Sequence, residues 1–308
     1  MRFYTLLLIV LFAGGVFAQS PSVKNIVPVL SEYTEQYYHP KFSPDDSRLL
    51  LTKSNFRGLY NYHLDTGALN TVTDEMNAGY QAVFSTDGQT IYYRTSVMKN
   101  RRRYFSLVGH NTNTSVKTVI EAEKRALSVP QKLISGKIVY SVKDNLQEIE
   151  FGTLKKKATL SAPSAEVYKS RSLRITHGDE VKTIQPKGRR LYLWPSISPD
   201  GTKLLFTVAG GGTFISDLDG NIINELGYAN APSWSPDGKW ILFMRDTDDG
   251  YTFTGSDIYL ANAGGGTEIN ISNTQNTIEL YPSWSHDGQK IVCSTDTGAI
   301  YLINLEWK

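Results

Sequence analysis

The stretch "APSWSPDGKWILF", Ala231 to Phe243, is written again 50 residues later as "YPSWSHDGQKIVC", Tyr281 to Cys293. Further versions begin at His39 ("HPKFSPDDSRLLL"), Tyr80 ("YQAVFSTDGQTIYY") and Leu193 ("LWPSISPDGTKLLF"). One phrase repeated along a chain marks an array, in which each copy buries its apolar faces only against its neighbours. Within the copy that starts at Ala231, "APSWS" reads as a short strand. Ser235-Pro236-Asp237-Gly238 reads as a turn: Pro presets φ, and Gly supplies the left-handed position that closes a hairpin. "KWILFM" is a continuous apolar run, as expected of a strand covered on both faces. "SDIYLANA" gives a third strand, and "GGTEINIS" a turn and a fourth. Four antiparallel strands in about 40 residues make one blade of an all-β propeller.

A weaker copy, "VPQKLISGKIVYSV" from Val129, keeps the turn Gly136 and the strand after it and brings the count to six. Asp46 stands at the turn-glycine position of the first copy, where Asp tolerates positive φ, and Thr86 and His286 stand where other copies have Pro. The 65 residues from Gly136 to Gly201 form the longest interval and contain "LRITHGDEVKTIQP", an alternating stretch with a Gly-Asp turn. The expectation is a six-bladed β-propeller, with a degenerate seventh blade in that interval as the alternative. The last copy ends on a third strand, "AIYLINL", whereas "KNIVPVL" precedes the first copy without a partner. Pairing the two would close the ring with the N-terminal strand and remove exposed edges. Trp194, Trp234 and Trp284 stand at positions that read as core, and Cys293 reads as buried filler. "VIEAEKRAL", Val119 to Leu127, reads as helical turns or a charged loop.

The first 18 residues have the layout of a secretory signal peptide: Arg2, an apolar stretch from Leu6 to Ala13, and Val16-Phe17-Ala18 before Gln19. Gly14 and Gly15 cut the apolar run short of the ~20 residues that a membrane span needs. Residues 19–308 are then one domain, without a membrane span and, with a single cysteine, without an internal disulfide. The net charge of +2, from 32 basic and 30 acidic residues, gives no field suited to nucleic acid. A monomer without a cofactor is expected.

In a propeller, the loops leading into first strands and those joining second to third strands share one face around the channel mouth, where function concentrates. There stand Tyr38 and His39 in "EQYYHP", Arg190 in "RRLYLWP", Tyr281 in "IELYP", and Arg101, Arg102 and Arg103 in "SVMKNRRRYF". Rings supply flat apolar area and guanidiniums grip carboxylates, so these are candidate binding residues for a protein segment or an acidic glycan. No Gly-x-Ser-x-Gly, His-Glu-x-x-His or phosphate-binding loop is present, and no catalytic residue is assigned. Of the five histidines only His39 stands at the mouth, where it is the candidate base of an alternative reading, a lyase or hydrolase acting on acidic oligosaccharide. "DTDDG", Asp246 to Gly250, invites a calcium reading, but it is shorter than a helix-loop-helix calcium loop and lacks the distal Glu, so no metal is assigned.

The "PSWSPDGKWILF…DIYL" wording, with "SISPDG" and "SWSHDG" elsewhere, resembles the repeats of TolB-like proteins, periplasmic WD-like β-propellers of bacteria. The resemblance spans residues 39 to 305 and implies a propeller in the periplasm or secreted, acting as a non-catalytic binding or scaffold module in the cell envelope. TolB itself is expected to carry an α/β domain ahead of its propeller, whereas about twenty residues follow the signal peptide before the first repeat here. Such repeats also occur in oligogalacturonate lyase-like enzymes and in the propeller halves of prolyl-oligopeptidase-like peptidases. No hydrolase domain follows the propeller to support the peptidase reading.

Overall fold

A computed structural model describes residues 20–31, 35–143, 145–150, 153–155 and 160–308; the expected signal peptide lies outside them. The strands form seven antiparallel sheets, not six. Blade 1 comprises Tyr38–Phe42, Arg48–Thr52, Leu59–His63 and Leu69–Thr73, and blade 2 Val83–Phe84, Thr90–Lys99, Arg102–Asn111 and Lys117–Lys124. Blade 3 comprises Gln131–Lys132, Ile138–Val142, Asn145–Glu150 and Thr153–Lys155. Blade 4 has three strands among the described residues, Leu160–Tyr168, Ser172–Gly178 and Glu180–Ile184. Blade 5 comprises Tyr192–Ile197, Lys203–Val208, Gly212–Asp217 and Ile222–Gly227, and blade 6 Asn230–Trp234, Trp240–Asp248, Phe253–Asn262 and Glu268–Asn270. Blade 7 comprises Glu279–Trp284, Lys290–Thr295 and Ile300–Trp307, with Pro21–Leu30 paired antiparallel along its last strand.

The Ser-x-Asp-Gly wording has a hydrogen-bond cause. Ser235 Oγ donates to Asp237 Oδ1 at 2.6 Å and accepts from the Trp240 amide at 2.9 Å, while Asp237 Oδ1 accepts the Lys239 amide at 3.1 Å. The serine–aspartate bond recurs at Ser43–Asp45, Ser85–Asp87, Ser198–Asp200 and Ser285–Asp287, so the motif closes the hairpin between first and second strands. Blade 4 escapes the six-blade count because no Ser-x-Asp-Gly stands in it: its turn Lys169-Ser170, both at positive φ, lies at the mouth, where the Ser170 carbonyl accepts the Tyr192 amide, and its other described turn joins His177 to Glu180. Pairing and packing, rather than a motif, make it a blade.

Seven apolar clusters each span two neighbouring blades. That between blades 6 and 7 joins Trp240, Leu242 and Leu260 to Leu280, Trp284, Ile291 and Cys293, which is fully buried. The first and last blades share Phe42, Leu49, Leu51, Tyr60 and Tyr62 with Val292 and Ile300, and Val29 and Leu30 pack against this cluster. Of the three tryptophans expected in the core, Trp284 is buried, whereas Trp194 and Trp234 are half-buried. Residues 117–124 form the fourth strand of blade 2 rather than helical turns or a loop, because a free strand edge offers their backbone partners that a lone helical turn lacks.

The deviant turn residues join blades. Thr86 Oγ1 donates to the Gly136 carbonyl at 2.8 Å. Across the junction of blades 7 and 1, the Asp46 carboxylate accepts the amides of His286 at 2.8 Å and Asp287 at 3.0 Å, and Asp46 Oδ1 lies 3.1 Å from His286 Nδ1.

Candidate binding face at the channel mouth

First strands begin at the mouth and run toward the Ser-x-Asp-Gly turns. At their start, His39, Gln81, Trp194, Ala231 and Tyr281 each have φ between 48° and 54°. The pairing with the second strand slips there in blades 1, 5, 6 and 7. Four of these residues precede a proline, which disfavours helical backbone, so the left-handed conformation is a strained one that the ladder on either side enforces. The bulge re-aims the side chain at that point.

The result is an aromatic floor shared by three blades. His39 lies against Tyr281 with ring centroids 3.8 Å apart, and stacks on Phe56 at 4.4 Å. Tyr80 meets Phe56 edge-on at 5.0 Å. Burial pushes the His39 imidazole down to about 4, with Lys41 adding repulsion, and no carboxylate opposes either effect. His39 is therefore neutral at neutral pH and a poor base, held as an aromatic surface.

Two hairpins rise beside this floor. In blade 2 the second and third strands continue to Lys99 and Arg102, joined through Asn100 and Arg101 at φ 49° and 60°. In blade 6 the pairing continues to Asp248 and Phe253. Each overshoots the hairpin of blade 1 by four or five residues, or ~13–16 Å at strand rise. The blade 2 tip exposes Arg101, Arg102 and Arg103, with no ion pair among the described residues, while Lys99 pairs with Glu123 at 2.5 Å. Met98 and Val97 on that hairpin and Met76 beside it are also exposed, and the Ser96 amide bonds to the Met76 carbonyl. The blade 6 tip carries exposed Asp248 and Asp249 and Tyr251, which is 96% exposed. These carboxylates accept the amides of Gly250, Tyr251 and Thr252, which shapes the turn. At the base of the hairpin, Asp246 accepts bonds from Tyr228 at 2.9 Å and Asn230 at 2.8 Å, and Arg245 forks onto Glu268.

Of the residues singled out from the sequence, the structure brings His39 and Tyr281 together. It sets Tyr38 beside blade 7, its hydroxyl 3.3 Å from the Asp296 carbonyl. Arg101, Arg102 and Arg103 stand on the basic hairpin, and Arg190 is an exposed residue of the loop before blade 5. Phe56 was missed because it comes from a short 3-10 turn between strands, outside the repeat register. Lys41 was missed although aligning the copies exposes it, since serine stands at the same register in three of them.

Solved structures share this architecture. The propeller domain of Cps50 (Swd1) from Myceliophteria thermophila superposes with a TM-score of 0.61 at 10% identity, over 92% of this chain and 99% of that one. The fold is a WD-like β-propeller. An oligogalacturonate lyase from Vibrio parahaemolyticus superposes on this propeller with a TM-score of 0.58 at 14% identity, over 93% and 97% of the two chains. A chain of a mitotic checkpoint complex does so at 0.57 and 13% identity, over 99% and 98%. No protein-family model matches the chain, and no curated protein matches its sequence.

Proposed function

We propose that this propeller is a non-catalytic binding module of the TolB-like kind, exported by its N-terminal leader to the periplasm or beyond, whose mouth face receives a segment of an envelope protein. The observation that carries the reading is the bipolar mouth. An aromatic floor from blades 7, 1 and 2 lies between a basic hairpin, whose three arginines have no ion pair among the described residues, and an acidic one, with Met76, Val97 and Met98 exposed on the basic side. Exposed apolar patches with charged rims are a feature of protein-binding surfaces. A glycan ligand would leave those methionines without a role. The N-terminal strand, paired along the last strand of blade 7, acts in this reading as the closure of the ring.

The alternative, an enzyme acting on acidic oligosaccharide, finds less support. His39 is sandwiched between rings and has no hydrogen-bonded carboxylate among the described residues. Among those residues, no three His, Cys, Asp or Glu side chains gather as metal ligands.

The test is selection from a displayed peptide library, repeated with Arg101, Arg102 and Arg103 all changed to Ala, and separately with Asp248→Asn and Asp249→Asn. The expected winners carry acidic residues at one end, basic residues at the other and apolar residues between, and lose binding to both variants. Winners that bind both variants undiminished would overturn the reading, as would cleavage of an acidic oligosaccharide array.

A further inference from the structure

The repeat also fixes what faces the channel below the mouth. Five residues before the turn position stand Lys41, Val83, Gln131, Ser196, Ser233 and Ser283. A cavity of about 380 Å³ is lined by Lys41, Gln131, Lys132, Trp194 and Ser196 among others. A second, of about 220 Å³, also reaches Lys41 and Lys132, together with Ser283. Lys41 thus belongs to both cavities.

Neither lysine has an acidic partner in contact among the described residues. Lys41 Nζ reaches only the Ala82 carbonyl, at 3.5 Å, the far limit of a hydrogen bond. Burial pushes its amine down to about 8 with nothing to offset it. Lys132 occupies the register where other blades place Phe42, Phe84, Trp234 and Trp284; burial lowers its amine too, and only the more distant Asp87 draws it back. The hydroxyl oxygen of Ser196, which lines the larger cavity, is buried without a partner among the described residues. Buried donors left unmade cost free energy, and a desolvated ammonium costs more. One ligand with two anionic groups would partner both lysines and the hydroxyl.

We propose that the channel is a binding site for a small dicarboxylate, with Lys41 pairing one carboxylate, Lys132 the second, and the hydroxyl of Ser196 donating to the first. A singly charged carboxylate matches one ammonium beside a neutral hydroxyl, whereas a phosphate dianion would need both cations at one point. The larger cavity falls in the range that holds a molecule of several carbons. The site does not depend on how the mouth is read, since none of the hairpin residues lines it.

The test is calorimetric titration of the full chain with glutarate, its neutral diamide and inorganic phosphate, backed by thermal unfolding. Glutarate is expected to bind and stabilise, and the diamide to do neither. Lys41→Met should weaken glutarate by about 10- to 100-fold, the cost of removing a charged hydrogen-bond partner. Lys41→Arg should retain most of the affinity, and Lys132→Met gives a second reading should Lys41→Met fail to fold. Absence of glutarate binding, equal binding by the Met variants, a response to the diamide, or a preference for phosphate would each overturn the assignment.

Discussion

Replacing Asp46 with glycine distinguishes the sequence pattern from the packed structure. By pattern, Asp46 is a flawed copy of the turn glycine at 88, 136, 201, 238 and 288, so Asp46→Gly should stabilise the turn. Asp46 has φ 56°, and relieving a left-handed non-glycine residue is worth about 1 kcal/mol. The structure opposes this gain. The Asp46 carboxylate, 11% exposed, accepts two backbone amides of blade 7 at 2.8 and 3.0 Å. Hydrogen bonds to a charged group contribute about 1.5 kcal/mol each at the low end of their range, so two contribute about 3 kcal/mol. Subtracting the conformational gain leaves a net loss of about 2 kcal/mol, placed at the junction of first and last blades. Urea unfolding of the full chain, followed by tryptophan fluorescence, measures it as a lower midpoint at unchanged slope. Asp46→Asn, which keeps an acceptor oxygen, should lose less. A glycine variant as stable as wild type or more so would refute the argument.

Three further outcomes are expected. Deleting Val23 to Leu30 removes the strand paired along Ile300–Trp307 and the Val29 and Leu30 contacts to the shared core of blades 7 and 1; differential scanning calorimetry should show a sharply lower melting temperature, and an unchanged one would refute closure by this strand. Trp240→Ala should cost about 3–5 kcal/mol because the ring is almost wholly buried, whereas Trp234→Ala, at a half-buried ring, should cost clearly less, and equal denaturation midpoints would contradict that ordering. Burial raises the Glu279 carboxyl above its ordinary value, so the folded state holds its proton more tightly than the unfolded chain; stability is highest below the unfolded pKa and falls as pH rises through the folded one. Glu279→Gln should therefore flatten the pH dependence of the urea midpoint between acid and neutral pH and leave the variant at least as stable at neutral pH.

The sequence by itself determined the blade. Ser-x-Asp-Gly closes a hairpin through bonds among residues at most five apart, so at the five turns with the serine–aspartate bond the wording is legible in the chain itself. For the same reason the copies at His39, Tyr80, Leu193, Ala231 and Tyr281 read correctly as hairpins, and the weak one at Val129 does so through its turn Gly136. The buried Cys293 was equally legible, because a repeat position inherits the burial of its equivalents. Tertiary structure decided the rest. Blade 4 became a blade through cross-strand pairing and the packing of Leu173 and Ile175 in one cluster with Tyr192 and Phe206 of blade 5, which no local motif records. The contact of His39 with Tyr281 joins residues 242 positions apart, and Phe56, on which His39 stacks, enters from a turn that no repeat predicts. Local bonds are written where they act, whereas a ring of blades brings its first and last copies together only once it has folded.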